Sequence, residues 1–261
     1  MPNQEKIGHE PVTLSRELVM YKTFSVILSE LIADRITDRT PEMIHKINTI
    51  HSGSSDFANF LKRGGKSKGP LYDCFWTIGN IDILNRKLLG FFCSIKCPGD
   101  IILKTYDLAR SFRDAGIPLI SGFHSPIEKD VFNLLISGSQ PLVVCPARSI
   151  ENMRIPNAWK EAIDNGRLLV LSPFKKKHKR VTASLSEQRN RIVALLARDV
   201  FFSYTAPGSR SESLSKDIIK AGKQIFTFEG EANQSLLAMG AKPKKVESLI
   251  VQLGPSYVID K

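Results

Sequence analysis

The sequence predicts an α/β protein in which a parallel β-sheet carries helices on both faces and follows a small helical N-terminal region. From about residue 88 onward, apolar runs of about five residues alternate with amphipathic segments about twice as long. Short apolar runs of this kind are typical of parallel strands that are buried on both faces. Gly116, Gly166 and Gly222 each stand where an amphipathic segment ends, which is where a helix commonly stops.

The elements of the predicted sheet follow one another without a long interruption. The predicted strands are 89–94, 117–121, 141–145, 167–172, 200–204 and 224–228. The predicted helices are 100–115, 125–138, 157–165, 186–198 and 209–221. Ser125-Pro126 and Ser209 are suitable first residues for two of these helices, since serine caps helix N-termini and proline fits the first turn.

The N-terminal part has a different pattern. Apolar residues recur every three or four positions over 13–34, which predicts a helix with one apolar face. Thr40-Pro41 indicates a second helix start, 55–63 a third short helix, and the glycine-rich segment 64–70 a linker. The predicted domains are therefore a helical appendage over residues 1–70 and an α/β domain over residues 71–261.

Composition limits the possible partners and surroundings. The chain has 261 residues with 37 Lys+Arg against 26 Asp+Glu, a net charge of +11. This excess favours a polyanionic or acidic partner, the alternative being a basic protein without one. The four cysteines are sparse, and Cys93 and Cys97 lack neighbouring zinc ligands. We therefore expect a cytoplasmic protein with reduced thiols, with no metal, no cofactor and no membrane association.

Three segments place small or polar residues where a strand passes into a helix. The first contains Ser121, Gly122, His124 and Ser125. Helix N-termini carry free N–H groups and a positive dipole end, so this turn could cradle a phosphate with His124 as an added donor. The alternative is a plain N-cap by Ser125 with a packed His124.

The second and third segments suggest the same ligand chemistry. Arg189, Asn190 and Arg191 open one helix; the two arginines cannot share a helix face, so one of them should turn inward. Gly208, Ser209 and Arg210 open another helix. The alternatives are surface charge for the arginines and capping boxes for the pairs Ser184–Glu187 and Ser209–Glu212.

A run of basic residues follows the fourth predicted strand. Its members are Lys175, Lys176, Lys177, Lys179 and Arg180. The strand end places this loop beside the predicted crevice, where it could contact phosphates. The alternative is a loop in bulk solvent.

Four of these elements resemble, in order, the DNA-processing protein A (DprA) family. They are Ser121-Gly122, Arg189-Asn190-Arg191-Ile192, Gly208-Ser209 and Gly240-Ala241, and the likeness covers roughly residues 75–245. More broadly the chain resembles the Rossmann-like superfamily that also contains the LOG phosphoribohydrolases. The first likeness implies binding of single-stranded DNA, a homodimer, and a recombinase as protein partner.

The sequence also departs from that family. Where the family has Gly-Ser-Arg after its first strand, this chain has Cys93-Ser94-Ile95-Lys96, so Ser94 and Lys96 are the corresponding candidates. Compact relatives of this kind resemble partner proteins of bacterial anti-phage toxin–antitoxin pairs. An antitoxin with a cognate toxin is therefore an alternative context to DNA recombination.

A likeness to LOG enzymes leaves a second function open. Pro207-Gly208-Ser209-Arg210-Ser211-Glu212 resembles a degraded LOG signature, and Glu187 or Glu212 could stabilise an oxocarbenium charge. This alternative is a nucleotide-binding sensor or an N-glycoside hydrolase of nucleoside monophosphates or NAD. Because helix capping explains both carboxylates and two signature glycines are missing, we expect no enzymatic activity.

Overall fold

The computed structural model describes residues 47–51 and 74–258, which form one α/β unit around a single sheet. Its strands are β1 (Asn48–His51), β2 (Cys74–Gly79), β3 (Leu89–Cys93), β4 (Leu119–Ser121), β5 (Leu142–Val144), β6 (Leu168–Ser172), β7 (Asp199–Tyr204), β8 (Ile225–Phe228) and β9 (Lys242–Lys244). Its α-helices are α1 (Gly99–Asp114), α2 (Pro126–Ile136), α3 (Asn157–Asp164), α4 (Ala183–Leu196), α5 (Arg210–Lys220), α6 (Gln234–Ala238) and α7 (Val246–Val258). Short 3₁₀ helices cover Ile81–Asn85 and Glu231–Asn233.

The order of the strands creates a crevice at the carboxyl edge of the sheet. The order is β1-β2-β6-β5-β4-β3-β7-β8-β9. The chain runs outward from β3 through β4 and β5 to β6, then returns to β7 on the other side of β3. Such a reversal is a topological switch point, where the loops after the two central strands diverge and leave room for a ligand.

Apolar side chains on both faces of the sheet hold the helices. One cluster packs Leu108 of α1, Val131 of α2 and Leu253 of α7 against one face. The second packs Ile192 of α4 and Ile218 of α5 against the other face. Alternate residues of a strand point to opposite faces, which is why Phe91 of β3 belongs to the first cluster and Phe92 to the second.

The predicted α/β class, Rossmann-like with helices on both faces, is confirmed, and each of the six predicted strands is present within a few residues of its expected place. The sheet is not wholly parallel, however. β2 pairs antiparallel with β6, and β1 pairs antiparallel with β2. The prediction also missed β2, β9, α6 and α7. β9 has the sequence Lys-Pro-Lys and lies at the edge of the sheet, so it lacks the apolar pattern that identifies buried strands.

The predicted helical appendage over residues 1–70 lies largely outside the described residues. Within the described part, Asn48–His51 is a strand and pairs with Cys74–Gly79 at the edge of the sheet. At this point the chain is therefore extended rather than helical, and these four residues extend the sheet of the α/β domain.

Candidate nucleic-acid interface

The turn after β4 contains the predicted residues Ser121, Gly122, His124 and Ser125. Ser125 is the N-cap of α2: its hydroxyl accepts a hydrogen bond from the backbone N–H of Glu128, and the Glu128 carboxylate completes the capping box. Both the predicted cap and the predicted helix start are therefore present. The capping signature was strong enough to be recognised locally, because all its members lie within four residues.

The Glu128 carboxylate, however, occupies the place where a phosphate cradle was predicted. It accepts hydrogen bonds from the backbone N–H groups of Cys93 at 3.1 Å, His124 at 2.8 Å and Ser125 at 3.2 Å. Because these N–H groups already bond an internal anion, they do not face the crevice. The expectation that these N–H groups cradle a phosphate is thus corrected: an internal carboxylate is their acceptor.

Phe123 shows how tightly this turn is bent. Its backbone has a φ of 45°, the left-handed region that a bulky residue adopts at a cost of about 1–3 kcal/mol. The buried Phe123 ring packs on Phe132 with 4.9 Å between ring centroids, and this contact helps to hold the conformation. The turn is therefore fixed by core packing on one side and by Glu128 on the other.

Arg189 turns inward from α4 and reaches this same turn. Its side chain is only 3% exposed, and its Nη1 donates to the carbonyl oxygen of Cys145 at the end of β5, at 2.9 Å. The guanidinium lies directly against the backbone of Gly122. Within residues 47–51 and 74–258, Nε is buried and has no hydrogen-bond acceptor.

The charge of Arg189 is only partly compensated. Burial lowers the pKa of the guanidinium from its ordinary value, while the nearby Glu128 carboxylate acts to raise the pKa. Glu128 is already engaged by three N–H groups and makes no ion pair with Arg189 in the part of the chain described. Arg189 therefore supplies a positive field beneath the crevice floor.

His124 is exposed above this charge. The pKa of its imidazole lies below the ordinary value of 6.5, first because the exposed ring is still partly desolvated by its neighbours and then because of the Arg189 charge. His124 is therefore neutral at pH 7 and can donate or accept a hydrogen bond, but it adds no net charge to the crevice.

The turn after β7 is closed by Ser94 from the loop after β3. Ser94 Oγ accepts a hydrogen bond from the Ala206 N–H at 3.0 Å and lies 3.5 Å from Ser209 Oγ. Ser209 in turn caps α5 by accepting from the Glu212 N–H. The predicted Ser209 cap is confirmed, and the two predicted site residues Ser94 and Ser209 are brought together across the switch point.

Glu212 acts as an internal anion at this second turn, as Glu128 does at the first. Its Oε2 accepts from the Gly208 N–H at 3.0 Å, and its Oε1 accepts from Ser235 Oγ at 2.7 Å. These bonds, Ser235 first, lower the pKa of Glu212 below its usual value, and Lys216 adds to the effect. Ser235 lies in α6, which was not predicted from the sequence, so this contact could not be anticipated.

Arg191 points away from the crevice. It forms ion pairs with Glu187 at 2.9 Å and with Asp217 of α5 at 3.9 Å. Because α4 begins after Thr182, whose hydroxyl caps the Leu185 N–H, the predicted Ser184–Glu187 capping box is wrong. The expectation that one of the two arginines turns inward is confirmed by Arg189, while Asn190 between them is half-buried.

The basic loop after β6 lies at the carboxyl edge of the sheet, as do the turns after β4 and β7. Its lysines and Arg180 are exposed, and Lys176 forms an ion pair with Glu151 at 2.8 Å. The loop is attached to the loop after β5, since the Ser149 N–H donates to the His178 carbonyl at 2.8 Å. The basic residues thus lie beside the end of β5, where Arg189 donates its hydrogen bond to the Cys145 carbonyl oxygen.

Further charges at this edge were not predicted from the sequence. Arg148 and Arg154 lie in the loop after β5, and their position after a predicted strand end was the signal that could have identified them. The predicted site residues Lys96, after β3, and Arg210, at the start of α5, are exposed. The acidic pair Glu229 and Glu231 follows β8.

The loops after β3, β5, β6 and β7 carry the cationic residues of the carboxyl edge. We call these residues the basic edge, which comprises Lys96, Arg148, Arg154, Lys175, Lys176, Lys177, Lys179, Arg180 and Arg210.

The described residues contain neither a cluster of metal ligands nor a helix that could span a membrane. No group of three or more His, Cys, Asp or Glu side chains within residues 47–51 and 74–258 could hold a metal ion. In the same part of the chain, no helix has the length and apolarity that a membrane span requires.

Comparisons with known proteins identify the fold. No protein-family profile matches this sequence, and no curated protein matches it either. The chain is similar in structure to DNA processing protein A of Streptococcus pneumoniae, at 13% identity and a TM-score of 0.62, covering 92% of this chain and 94% of that one. It is also similar to DNA processing protein A of Helicobacter pylori, at 17% identity and a TM-score of 0.64, covering 84% of this chain and all of that one.

The H. pylori protein is described as binding single-stranded DNA by a unique mode. At such low identities the likeness concerns the fold, and it leaves partner proteins and an anti-phage context as predictions. The structural likeness extends over most of the chain in both cases, so this chain has a DNA processing protein A-like fold.

Proposed function

We propose that the basic edge binds single-stranded DNA through its phosphate backbone. The observation that carries the proposal is the gathering of exposed cationic side chains, from the loops after β3, β5, β6 and β7, around a buried Arg189 that lacks a direct anionic partner among the described residues. Lysine and arginine side chains that neutralise phosphates release counterions, and this is the main source of affinity in sequence-independent binding.

The same surface favours contact with phosphates over contact with bases. Among residues 47–51 and 74–258, every Phe, Tyr and Trp side chain is buried or half-buried, and at the crevice only Tyr204 at the end of β7 is half-buried, so the surface offers few platforms on which bases could stack. The ring that the turn after β4 brings to the crevice is the neutral imidazole of His124. We therefore expect weak sequence preference and a strong dependence of affinity on salt.

The test is fluorescence anisotropy with a short labelled single-stranded oligonucleotide at two salt concentrations. The affinity should fall by about an order of magnitude or more between ~50 mM and ~200 mM salt. Undetectable binding at the lower concentration, or an affinity that does not change with salt, would contradict the proposal.

A matched pair of variants locates the interface. Lys177→Gln with Lys179→Gln removes two charges from the basic edge, whereas Arg86→Gln with Lys220→Gln removes two exposed charges near the opposite edge of the sheet. Both variants lose the same net charge, so a difference between them reports location alone. The first pair should weaken binding and reduce the salt slope by about 1 for each phosphate that is no longer neutralised, and the second should leave both nearly unchanged. Equal effects of both pairs would mean that binding follows net charge and not the basic edge.

A binding function, rather than hydrolysis of an N-glycosidic bond, is supported by the state of the two candidate carboxylates. Glu212 is held by Gly208 and Ser235, and Glu187 pairs with Arg191 on the exposed side of α4. Both carboxylates thus have partners within the protein, which supports the proposal that neither acts on a ribose. A sensitive assay for adenine or nicotinamide released from nucleoside monophosphates or NAD should show no turnover; release that disappears in Glu212→Gln would place the chain among hydrolases.

A further inference from the structure

Two cysteine side chains are in contact beside the crevice. Cys93 is the last residue of β3 and is 3% exposed, and Cys97 is half-buried in the loop that leads to α1. The two thiols lie close enough for each to shift the pKa of the other, and Cys93 Sγ donates a hydrogen bond to the carbonyl oxygen of Ser94 at 3.5 Å. Three residues separate them in the sequence, and a register shift between Phe92 and Cys93 distorts the end of β3 at this point.

The surroundings make Cys97 the more reactive of the two. α1 begins at Gly99 with Pro98 as its N-cap, so Cys97 lies at the positive end of a 16-residue helix. The neighbouring Cys93 thiol lowers the pKa of Cys97 below its ordinary value, although burial and Asp100 act in the opposite direction. Cys97 is also the more exposed of the two thiols, since Cys93 is buried in the sheet. Exposure and the helix N-terminus together favour Cys97 as the nucleophile.

We propose that Cys93 and Cys97 form a modification site at which a peroxide oxidises Cys97 and Cys93 converts the product into a disulfide. The Cys97 thiolate attacks one peroxide oxygen, the O–O bond breaks, and hydroxide leaves, which gives a sulfenic acid. The Cys93 sulfur attacks the sulfenic sulfur, the S–S bond forms, and the sulfenic oxygen leaves as water with the Cys93 proton. Overall the two thiols lose two electrons and two protons, and hydrogen peroxide becomes two molecules of water.

The disulfide would close a short loop that contains Ser94 and Lys96. Ser94 fastens the turn after β7 through the Ala206 N–H, and Lys96 is part of the basic edge. Oxidation should therefore alter the affinity of the crevice for DNA. This consequence rests on the proposed function, whereas formation of the disulfide does not.

The other two cysteines of the chain provide internal controls. Cys145 is fully buried, and burial raises the pKa of its thiol to about 12 despite the neighbouring Arg189. Cys74 is buried in β2, at the far side of the sheet from the switch point. Both should stay reduced when Cys97 has reacted.

The experiment is peptide mapping of the full-length protein after treatment with hydrogen peroxide. Trypsin cleaves after Lys87, Lys96 and Lys104, so Cys93 and Cys97 fall in separate peptides, 88–96 and 97–104. In the oxidised protein these two peptides should appear as one linked species lacking two hydrogen masses, and reducing agent should separate them again. Peptides that remain separate while Cys97 is unmodified or over-oxidised would overturn the proposal, as would equal oxidation of Cys74 or Cys145.

Two variants test which of the two cysteines is oxidised first. In Cys93→Ser, the sulfenic acid at Cys97 has no partner and should accumulate as an adduct of dimedone, whereas Cys97→Ser should show no adduct at Cys93. Cys145→Ser should form the linked peptides as the unmodified chain does. If Cys93→Ser fails to fold, the mapping of the unmodified chain still decides the proposal. An unchanged DNA affinity with a mapped disulfide would refute only the coupling to the crevice.

Discussion

The guanidinium of Arg189 lies against the backbone of Gly122, so closely that residue 122 has no room for a side chain. A Cβ atom at this position would overlap Nη1 and Cζ of Arg189. Sixty-seven positions separate the two residues, yet they form one contact at the floor of the crevice. The glycine is therefore required by a close approach and not by an unusual backbone angle, since its φ lies outside the left-handed region.

We expect Gly122→Ala to destabilise the protein by about 1–3 kcal/mol, because the added methyl group displaces a buried charged side chain. The free energy of unfolding by denaturant measures this cost. In the double variant Gly122→Ala with Arg189→Ala, the methyl group has room, so the destabilisation should be smaller than the sum of the two single effects. Additive effects would show that contact with Arg189 is not what excludes a side chain at residue 122.

Glu128→Gln should lower the free energy of unfolding by about 2–3 kcal/mol. The carboxylate accepts three backbone N–H groups with two oxygens, and an amide has a single acceptor oxygen, so at least one buried donor loses its partner. Glu187→Gln is the matched control, because its pair with Arg191 is exposed and contributes about 0.5 kcal/mol or less. Similar small effects in both variants would contradict the assignment of Glu128 as an internal anion.

Glu212 should make stability depend on pH on the acid side. Its pKa in the folded protein lies below the ordinary value of 4.5, first because of the hydrogen bond from Ser235. The stabilisation is present above pH 4.5 and is lost as the pH falls through the lowered pKa of the folded state. Unfolding measured over this range should show a shallower decline for Glu212→Gln than for the unmodified chain. Identical slopes would mean that other carboxylates account for the acid sensitivity.

Lys223→Met should lower stability through the end of α4. The Lys223 amino group, whose pKa is lowered by burial to about 7, donates to the carbonyl oxygens of Ala194, Leu195 and Ala197, which lie at the end of that helix and have no helical partners. Losing these bonds should cost about 1–3 kcal/mol in thermal or denaturant unfolding. Lys220→Met provides the control, since Lys220 is exposed at the end of α5. An effect of Lys220→Met as large as that of Lys223→Met would contradict the role of Lys223 as the cap of the α4 C-terminus.

The sequence by itself determined those features that depend on neighbours along the chain. Apolar runs such as 168–172 predict buried strands because they are short and end at turn residues, and the caps at Ser125 and Ser209 involve residues at most three positions apart. The strand ends that carry the basic loop, and hence its place at the carboxyl edge, follow from the same alternation of strands and helices.

Only the tertiary structure decided which groups fill the turns. Glu128 accepts from the Cys93 N–H across 35 residues, and Arg189 donates to the Cys145 carbonyl oxygen across 44. The local pattern indicated the Ser125 cap and one inward arginine, but it could not indicate these two distant partners. The antiparallel strands β1 and β2 were equally hidden, because pairing direction depends on the partner strand. The physical reason is the same for Glu128, Arg189 and the two strands. Each hydrogen-bonding group pairs with a group that is distant in the sequence and adjacent in the fold, and breaking such a buried pair costs free energy.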